Sequence, residues 1–292
     1  MTTEIGRLGV WSWLDAFSAP EAADFARRLE AWGYSALWIP EAVGRDPFSF
    51  IGYLAAETEK LVLATGIANI YARDPMTLKA IHKTVSEIAP NRFVLGLGVS
   101  HEHLVKKVRG HDYKKPLTAM RNHLDAMESA LYMGKDPKED APIVLAALRD
   151  KMLGLAAERT RGAHPYFVPP EHTAHAREVL GADAWLCPEQ MVLLETDPTK
   201  ARAVARANMQ VYVGLPNYQN NLRQFGYDDA DFADGGSDRL VDAIVAWGDE
   251  KAIADRVKAH HDAGADHVCI QPFRADGQPG PDLTILEAMA PN

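Results

Sequence analysis

Short apolar runs alternate with helical patterns along most of the chain. Eight runs are rich in Val, Ile, Leu and aromatic residues: 5–13, 35–39, 61–67, 92–101, 143–147, 163–168, 185–195 and 267–271. Between them, apolar residues recur at helical spacing, as at Ala22, Phe25 and Leu29, in a segment whose start carries the capping pair Ser18 and Glu21. Nearly all-apolar strands that alternate with helices predict a parallel sheet covered on both faces.

For 292 residues, this alternation predicts an α/β fold of the (β/α)8 TIM-barrel type, with residues 1–292 forming one domain. The alternative is an open, doubly wound sheet. That alternative is disfavoured because Gly96 and Gly98 lack the third glycine of a dinucleotide-binding fingerprint. They also lie on the fourth predicted strand, whereas the fingerprint follows the first.

Residues 214–248 interrupt the regular alternation, and we interpret them as an insertion between strands 7 and 8. The segment contains a run of Asn and Tyr, an acidic stretch and a later apolar pattern at Leu240, Ile244 and Trp247. It is too long for a plain connection, and insertions of this length are often lids or binding loops. A lid over the barrel and a homodimer contact are therefore the two readings of 214–248.

The strand at 92–101 carries large apolar side chains on one face and glycines on the other. Glycine weakens a strand, so Gly96 and Gly98 on one face require a reason. Close approach of a flat ligand is one reason, and a crowded barrel interior is the other. Ser100 and His101, which can both take part in chemistry, follow directly.

Composition narrows the classes of function. The net charge is −9 and no basic run occurs, which argues against nucleic acid or an anionic membrane as the partner. No apolar run approaches the ~18 residues of a membrane span, and no signal peptide is apparent. Cys187 and Cys269 both lie in apolar runs and are expected to be buried thiols. We expect a cytoplasmic protein that acts on a small-molecule substrate.

In TIM barrels the active site lies where the strands end. The residues that the sequence places there are Trp11, Trp13, Glu41, Gly66, Ile67, Ala68, Asn69, Ser100, His101, Ala147, Leu148, Arg149 and His172. This set lacks a nucleophile elbow of the Gly-x-Ser-x-Gly type. His101 and His103 are spaced like metal ligands, but the last strand ends in Gln271 and Pro272 without the aspartate of a metal-dependent barrel hydrolase. We therefore predict no metal site and keep that hydrolase class as an alternative.

A helix is predicted to begin at Arg149, with Lys151 in its first turn. Free N–H groups and the macrodipole make such a helix start favourable for a phosphate. A solvated charge pair with Asp150 is the alternative.

Several segments, in order along nearly the whole chain, resemble the bacterial luciferase-like monooxygenase superfamily, and most of all its coenzyme F420-dependent branch. The most specific is Arg92-Phe93 followed by Leu-Gly-Leu-Gly-Val-Ser-His at 95–101. The others are 33–41, 64–67, 73–75, 145–147, 155–157, 248–249 and 264–266.

The resemblance implies a cofactor site and a catalytic pair. It implies a non-prolyl cis peptide at Gly66–Ile67 against which the cofactor ring leans, and a phosphate held at Ala147, Leu148 and Arg149. The remaining cofactor-binding positions that it implies are Ala68, Asn69, Gly98 and Ser100. His101 is the implied proton donor or acceptor, with Glu41 able to orient it. The sequence departs from one branch of the family, since His101 replaces a glutamate and Glu41-Ala42 replaces an Asp-His pair.

The function that the resemblance implies is an oxidoreductase that transfers a hydride between coenzyme F420 and a small organic substrate. An FMN-dependent luciferase-like monooxygenase is the first alternative, and a non-catalytic flavin-binding barrel is the second.

Overall fold

The structure is a computed structural model that describes residues 3–291. Its strands are β1 (Leu8–Trp11), β2 (Ala36–Ile39), β3 (Val62–Thr65), β4 (Ala68–Asn69), β5 (Phe93–Gly98), β6 (Ile143–Leu145), β7 (Gly162–Ala163), β8 (Trp185–Leu186), β9 (Glu189–Leu194), β10 (Val245–Gly248) and β11 (Val268–Phe273).

Helices connect most of these strands. They are α1 (Ala19–Ala31), α2 (Pro47–Glu57), α3 (Pro75–Ile88), α4 (Pro116–Ser129), α5 (Asp150–Arg159), α6 (Pro170–Leu180), α7 (Pro198–Val213), α8 (Pro216–Leu222), α9 (Asp229–Phe232), α10 (Asp238–Ile244), α11 (Glu250–Asp262) and α12 (Leu283–Ala288). A π-helix spans His103–Val108, and single 3-10 turns lie at Arg223–Phe225 and Ala233–Gly235.

The strands form one sheet in which every pairing is parallel. The order is β10-β9-β11-β1-β2-β3-β5-β6-β7-β8, with β4 beside β5. β11 pairs with β1, so the last strand lies beside the first, as it does in a TIM barrel. β10 and β8 stand at the two ends of this order, and only Cys187 and Pro188 separate β8 in the chain from β9, the neighbour of β10. The α/β parallel architecture is therefore confirmed as TIM-barrel-like.

Two of the expected strands are shorter than the sequence pattern predicts. Of the run at 163–168 only Ala163 lies in a strand, and the run at 185–195 is divided between Leu186 and Glu189. Pro165 and Pro188 account for both interruptions, because proline has no N–H to donate to a neighbouring strand. Single backbone hydrogen bonds still join these segments beyond the prolines. One example is the bond from Glu189 N–H to the Pro165 carbonyl, at 2.9 Å.

The barrel interior is filled by large and small apolar side chains. Trp11, Trp38, Val94, Cys187 and Cys269 form one buried cluster there, and both thiols are free. The prediction that the cysteines are buried is confirmed.

The segment 214–248 lies between β9 and β11 and contains α8, α9, α10 and β10. Its apolar side chains pack with Met191 and Leu193 of β9 and with Phe167 after β7. Within residues 3–291, no helix is both long enough and apolar enough to cross a membrane.

The glycine face of β5 is occupied by the chain itself. A Cβ at Gly96 would lie 2.0 Å from the Thr65 carbonyl oxygen, and a Cβ at Gly98 would lie 2.4 Å from Ile67 Cδ1. Thr65 Oγ1 also accepts from Gly96 N–H at 2.9 Å and donates to the Gly96 carbonyl at 2.7 Å. The glycines therefore allow the end of β3 to lie directly against β5. Of the two explanations for these glycines, a flat ligand or a crowded barrel interior, the structure shows the crowded interior.

This contact predicts that Gly96→Ala lowers the free energy of unfolding by about 1–3 kcal/mol, the usual cost of overpacking a core. Denaturant unfolding measures the change. Gly52→Ala in α2 is the matched control, since a Cβ there meets nothing within 4 Å. Alanine in a helix interior should leave stability unchanged or raise it by about 0.5–1 kcal/mol. Equal stability of the two variants would contradict the packing argument.

Candidate active site

The turn after β3 has the peptide geometry that was predicted. The Gly66–Ile67 bond is cis. Gly66 N–H donates to the Ile39 carbonyl at 2.9 Å, and the indole N–H of Trp11 donates to the Gly66 carbonyl at 2.8 Å. Glu41 N–H donates to the Ile67 carbonyl at 3.2 Å. The ends of β1 and β2 therefore hold this turn in place.

Glu41 holds the same turn through its side chain. The carboxylate accepts from Asn69 N–H at 2.8 Å and forms an ion pair with Arg73 at 2.8 Å, and only 6% of it is exposed. Arg73 also pairs with Asp46. Asn69 and Ala68 pair with the end of β5, at Gly98 and Leu97. The carboxylate contacts thus tie Glu41 to Asn69 and Arg73, and its predicted orienting effect on His101 stays a prediction.

His101 lies at the end of β5 under the first helix of the 214–248 segment. Its ring centroid is 5.5 Å from that of Tyr218, and the Asn217 side chain hydrogen-bonds the ring. Burial lowers the pKa of His101 below 6.5, an effect that the Asn217 bond partly offsets, so the ring is neutral at pH 7. Nδ1 has no partner in the described chain. Because an amide can donate or accept, Asn217 lets Nδ1 present either a proton or a lone pair.

Ser100, just before His101, has a left-handed backbone with φ of 56°. Its carbonyl accepts from the Tyr113 hydroxyl at 3.3 Å.

A histidine of α6 holds the predicted phosphate loop, residues 147–149, in place. His172 Nε2–H donates to the Leu148 carbonyl at 2.7 Å, which leaves Nδ1 as a buried lone pair with no partner among residues 3–291. Arg149 is the N-cap of α5 and makes no side-chain capping bond, so free N–H groups remain at the helix start. Asp150 pairs with His175 at 2.8 Å. This geometry is compatible with an anion at 147–149.

Three tyrosines that the sequence analysis did not single out lie at the barrel mouth. The Tyr166 ring contacts Trp11, Tyr212 and Tyr218, with centroids 5.1 to 6.2 Å apart. The Tyr166 hydroxyl donates to Gln271 Oε1 at 2.9 Å and also shares a hydrogen bond with Tyr212. Burial raises the pKa of each of these phenols, so all three are neutral at pH 7. Tyr166 and Tyr218 lie in loop and insertion sequence without a motif, and only the fold brings them together.

Glu189 at the start of β9 is a further residue that the sequence analysis missed. It is 1% exposed, and its Oε2 accepts from Phe167 N–H at 3.3 Å while Oε1 has no partner among residues 3–291. Burial raises its pKa to about 8, so it is a neutral acid at pH 7. The sequence feature that could have identified Glu189 is its position as an acidic residue inside the predicted buried strand at 185–195.

The predicted cofactor positions form two groups. Gly66, Ile67, Ala68, Asn69 and Gly98 lie together at the cis turn, and Ser100 follows at the end of β5. Ala147, Leu148 and Arg149 form a separate loop after β6. Asn69 Nδ2 and His101 Nδ1 are both buried without a partner in the described chain, which suits a ligand with hydrogen-bonding atoms. Within residues 3–291, no group of three or more His, Cys, Asp or Glu side chains is arranged to hold a metal ion.

Comparisons with known proteins found a family model and relatives that match most of the chain. The family model described as luciferase-like monooxygenase matches residues 6–267. A protein of Mycobacterium tuberculosis named as a coenzyme F420-dependent oxidoreductase is 25% identical over 250 residues, which are 71% of each chain.

Two solved structures share the fold. The coenzyme F420-dependent tetrahydromethanopterin reductase of Methanopyrus kandleri superposes with a TM-score of 0.78 at 18% identity, over 99% of this chain and 98% of the other. The FMN-bound oxygenating component of a diketocamphane monooxygenase from Pseudomonas putida gives a TM-score of 0.68 at 17% identity, with 99% and 98% coverage.

The burial of Glu189 generates a pH prediction. Its proton is held more tightly in the folded protein than in the unfolded chain between pH 4.5 and about 8. Wild-type stability should therefore fall relative to Glu189→Gln as pH rises through that window, by up to about 1.4 kcal/mol per pH unit. Denaturant unfolding of both proteins across the window measures this difference, in which contributions from the histidines cancel.

Glu287→Gln is the control, since Glu287 is an exposed side chain on α12. Its stability should follow that of the wild type at every pH. Parallel curves for wild type and Glu189→Gln would mean that Glu189 does not enter the fold as a neutral acid.

Proposed function

The chain belongs to the luciferase-like monooxygenase family, and from this premise we propose that it is an oxidoreductase that uses coenzyme F420. The reaction proposed is hydride transfer to or from a small organic substrate. The main support for coenzyme F420 as the cofactor is the relative named as a coenzyme F420-dependent oxidoreductase, which matches 71% of the chain. FMN-dependent monooxygenation is the second candidate, favoured by the FMN-bound structural neighbour.

The residues proposed to hold the cofactor are those of the cis turn and the loop after β6. Gly66, Ile67, Ala68, Asn69, Gly98 and Ser100 would contact the ring system, and Ala147, Leu148 and Arg149 would bind the phosphate. When bound, a deazaflavin supplies a carbon centre that gives or takes a hydride and reacts poorly with oxygen. The unpaired Asn69 Nδ2 and the open start of α5 support this assignment.

His101 is proposed to move the proton that accompanies hydride transfer. A carbonyl that accepts a hydride needs a proton, and an alcohol that gives one must lose a proton. The neutral ring, its unpaired Nδ1 and the Asn217 side chain on its other nitrogen support both directions. Glu41 is proposed to be a positioning residue that fixes Asn69 and the cis turn. Retention of these polar groups disfavours a non-catalytic flavin-binding barrel.

Residues 214–248 are proposed to be an insertion between strands 7 and 8 that closes the barrel mouth. The contacts of Tyr218 with His101, Tyr166 and Phe167 support a position above the strand ends. A lid excludes water from the hydride-transfer site and releases products when it opens.

Equilibrium binding of coenzyme F420 and of FMN to the cofactor-free protein tests the proposed cofactor. We expect coenzyme F420 to bind more tightly than FMN, with hydrogen exchange slowed across α8 in the complex because the lid closes on the ligand. Tighter FMN binding would favour the monooxygenase, and no binding of either would refute the proposed function. Unchanged exchange in α8 with full cofactor binding would refute the lid alone.

His101→Gln should lower kcat by at least about 100-fold, the lower range of general acid–base catalysis. Cofactor affinity should change little. In the direction in which His101 accepts the proton, the wild-type rate should also decline below pH 6.5, where the histidine gains a proton, and this decline should be absent in the variant. Steady-state kinetics after substrate identification, with a cofactor titration, provides both readings.

His103→Gln is the matched control and should retain wild-type turnover, since His103 is an exposed histidine at the start of the π-helix, two residues after His101. A His101→Gln protein with weaker cofactor binding or lower stability but normal turnover of the bound fraction would make His101 a structural residue.

A further inference from the structure

One face of α8 and the turn that follows it is buried against the barrel mouth. Tyr218, Asn221 and Leu222 are buried, and Phe225 is half-buried one turn later. Their spacing of three, four and seven residues places them on one side of a helix. Asn220, next to Asn221, points to solvent.

This face extends from the catalytic candidate to the phosphate loop. At one end, the Tyr218 centroid is 5.5 Å from His101 and 5.1 Å from Phe167. At the other end, the Phe225 centroid is 5.7 Å from His172. His172 in turn donates to the Leu148 carbonyl. Asn221, three residues after Tyr218 and four before Phe225, therefore lies midway between these ends.

Asn221 is fully buried, with 0% of its surface exposed. Neither Oδ1 nor Nδ2 has a hydrogen-bond partner in the part of the chain that the structure describes. A carboxamide has two donors and an acceptor, and burying it without partners is unfavourable. A hydrophobic residue of the same size would fill this position at lower cost, so the amide requires an explanation outside the folded chain itself.

His172 adds a second unpaired group on the same side. Its Nδ1 is a buried acceptor, because Nε2–H is donated to Leu148. Burial lowers the pKa of His172 to about 4, so neither this ring nor Asn221 carries a charge at pH 7. Two neutral groups that together offer donors and acceptors suit hydroxyl groups better than a phosphate.

We propose that Asn221 is a ligand-binding residue that hydrogen-bonds the hydroxyl-bearing chain between the ring and the phosphate of the cofactor, with His172 Nδ1 as a second acceptor. The inference rests on the proposed function, since it takes the ring to lie at the cis turn and the phosphate at 147–149. It assigns to α8 a direct part in holding the cofactor, in addition to covering the site.

Asn221→Leu tests the proposal because its two readouts change in opposite directions. Leucine has a similar volume and removes the unpaired amide, so the Tm of the cofactor-free protein should rise. The Kd for the cofactor should increase by about tenfold or more, since hydroxyls of the ligand then lose their partner. Asn220→Leu is the matched control and should change neither Tm nor Kd.

A ring-only probe locates the effect on the ligand. A deazaflavin ring that carries a methyl group in place of the hydroxylated chain should bind wild type and Asn221→Leu equally. Loss of affinity for this probe as well would overturn the assignment to the chain, and an unchanged cofactor Kd in Asn221→Leu would overturn the proposal itself. That result would assign Asn221 to ordered water.

Two further results are informative. Wild-type protein that binds neither cofactor refutes the proposed function and this inference with it, whereas wild-type binding with an unchanged Kd in Asn221→Leu refutes the inference alone. If Asn221→Leu does not fold, the pair Asn221→Ser and Asn221→Ala decides instead. Serine should retain more cofactor affinity than alanine but equal affinity for the ring-only probe, and equal losses with the cofactor would overturn the proposal.

Discussion

The end of β3 lies so close to β5 that only glycine fits between them. Thr65 bonds both backbone groups of Gly96 through its hydroxyl, and Ile67 occupies the space beside Gly98. This contact fixes where the chain leaves the sheet and turns at Gly66–Ile67. The Trp11 indole and the Glu41 backbone then hold that turn from neighbouring strands. The position of every group at the candidate ring site depends on this packing.

A second constraint is that the polar groups within the barrel are kept uncharged. Burial lowers the pKa of His164 to about 4 and that of His267 to about 3, and it raises that of Glu189 to about 8. Hydrogen bonds such as Trp38 Nε1–H to His267 Nε2, at 3.0 Å, satisfy part of this set. Since an isolated charge in such an interior is very costly, neutral forms are the ones that the fold can accommodate. The polar groups of this mainly apolar interior, His164, Glu189 and His267, are therefore all uncharged at pH 7.

The alternation of apolar runs with helical patterns was sufficient to predict the parallel α/β architecture. Strands such as β5 are buried along their whole length and are nearly all apolar, so they stand out in the sequence. The same pattern failed where proline cut a strand, at Pro165 and Pro188, since apolar character does not reveal a missing N–H. The cis bond at Gly66–Ile67 was anticipated through family resemblance alone. Asn221 and Tyr218 could not have been found in the sequence, because which face of a short helix is buried depends on what it packs against.

The segment that leaves β9 after Leu194 returns to the same strand. Gly248 at the end of β10 is the register partner of Leu194, while the other edge of β9 pairs with β11. Both attachments of this segment are thus on one strand, and the pairing of β9 with β11 does not depend on what lies between them. Changes to the exposed side chains of that interval, such as Asn220, can accumulate without altering the pairing of the barrel strands. Sequence variation in this interval is therefore constrained on the side that packs against the barrel and is free of that constraint on the side that faces solvent.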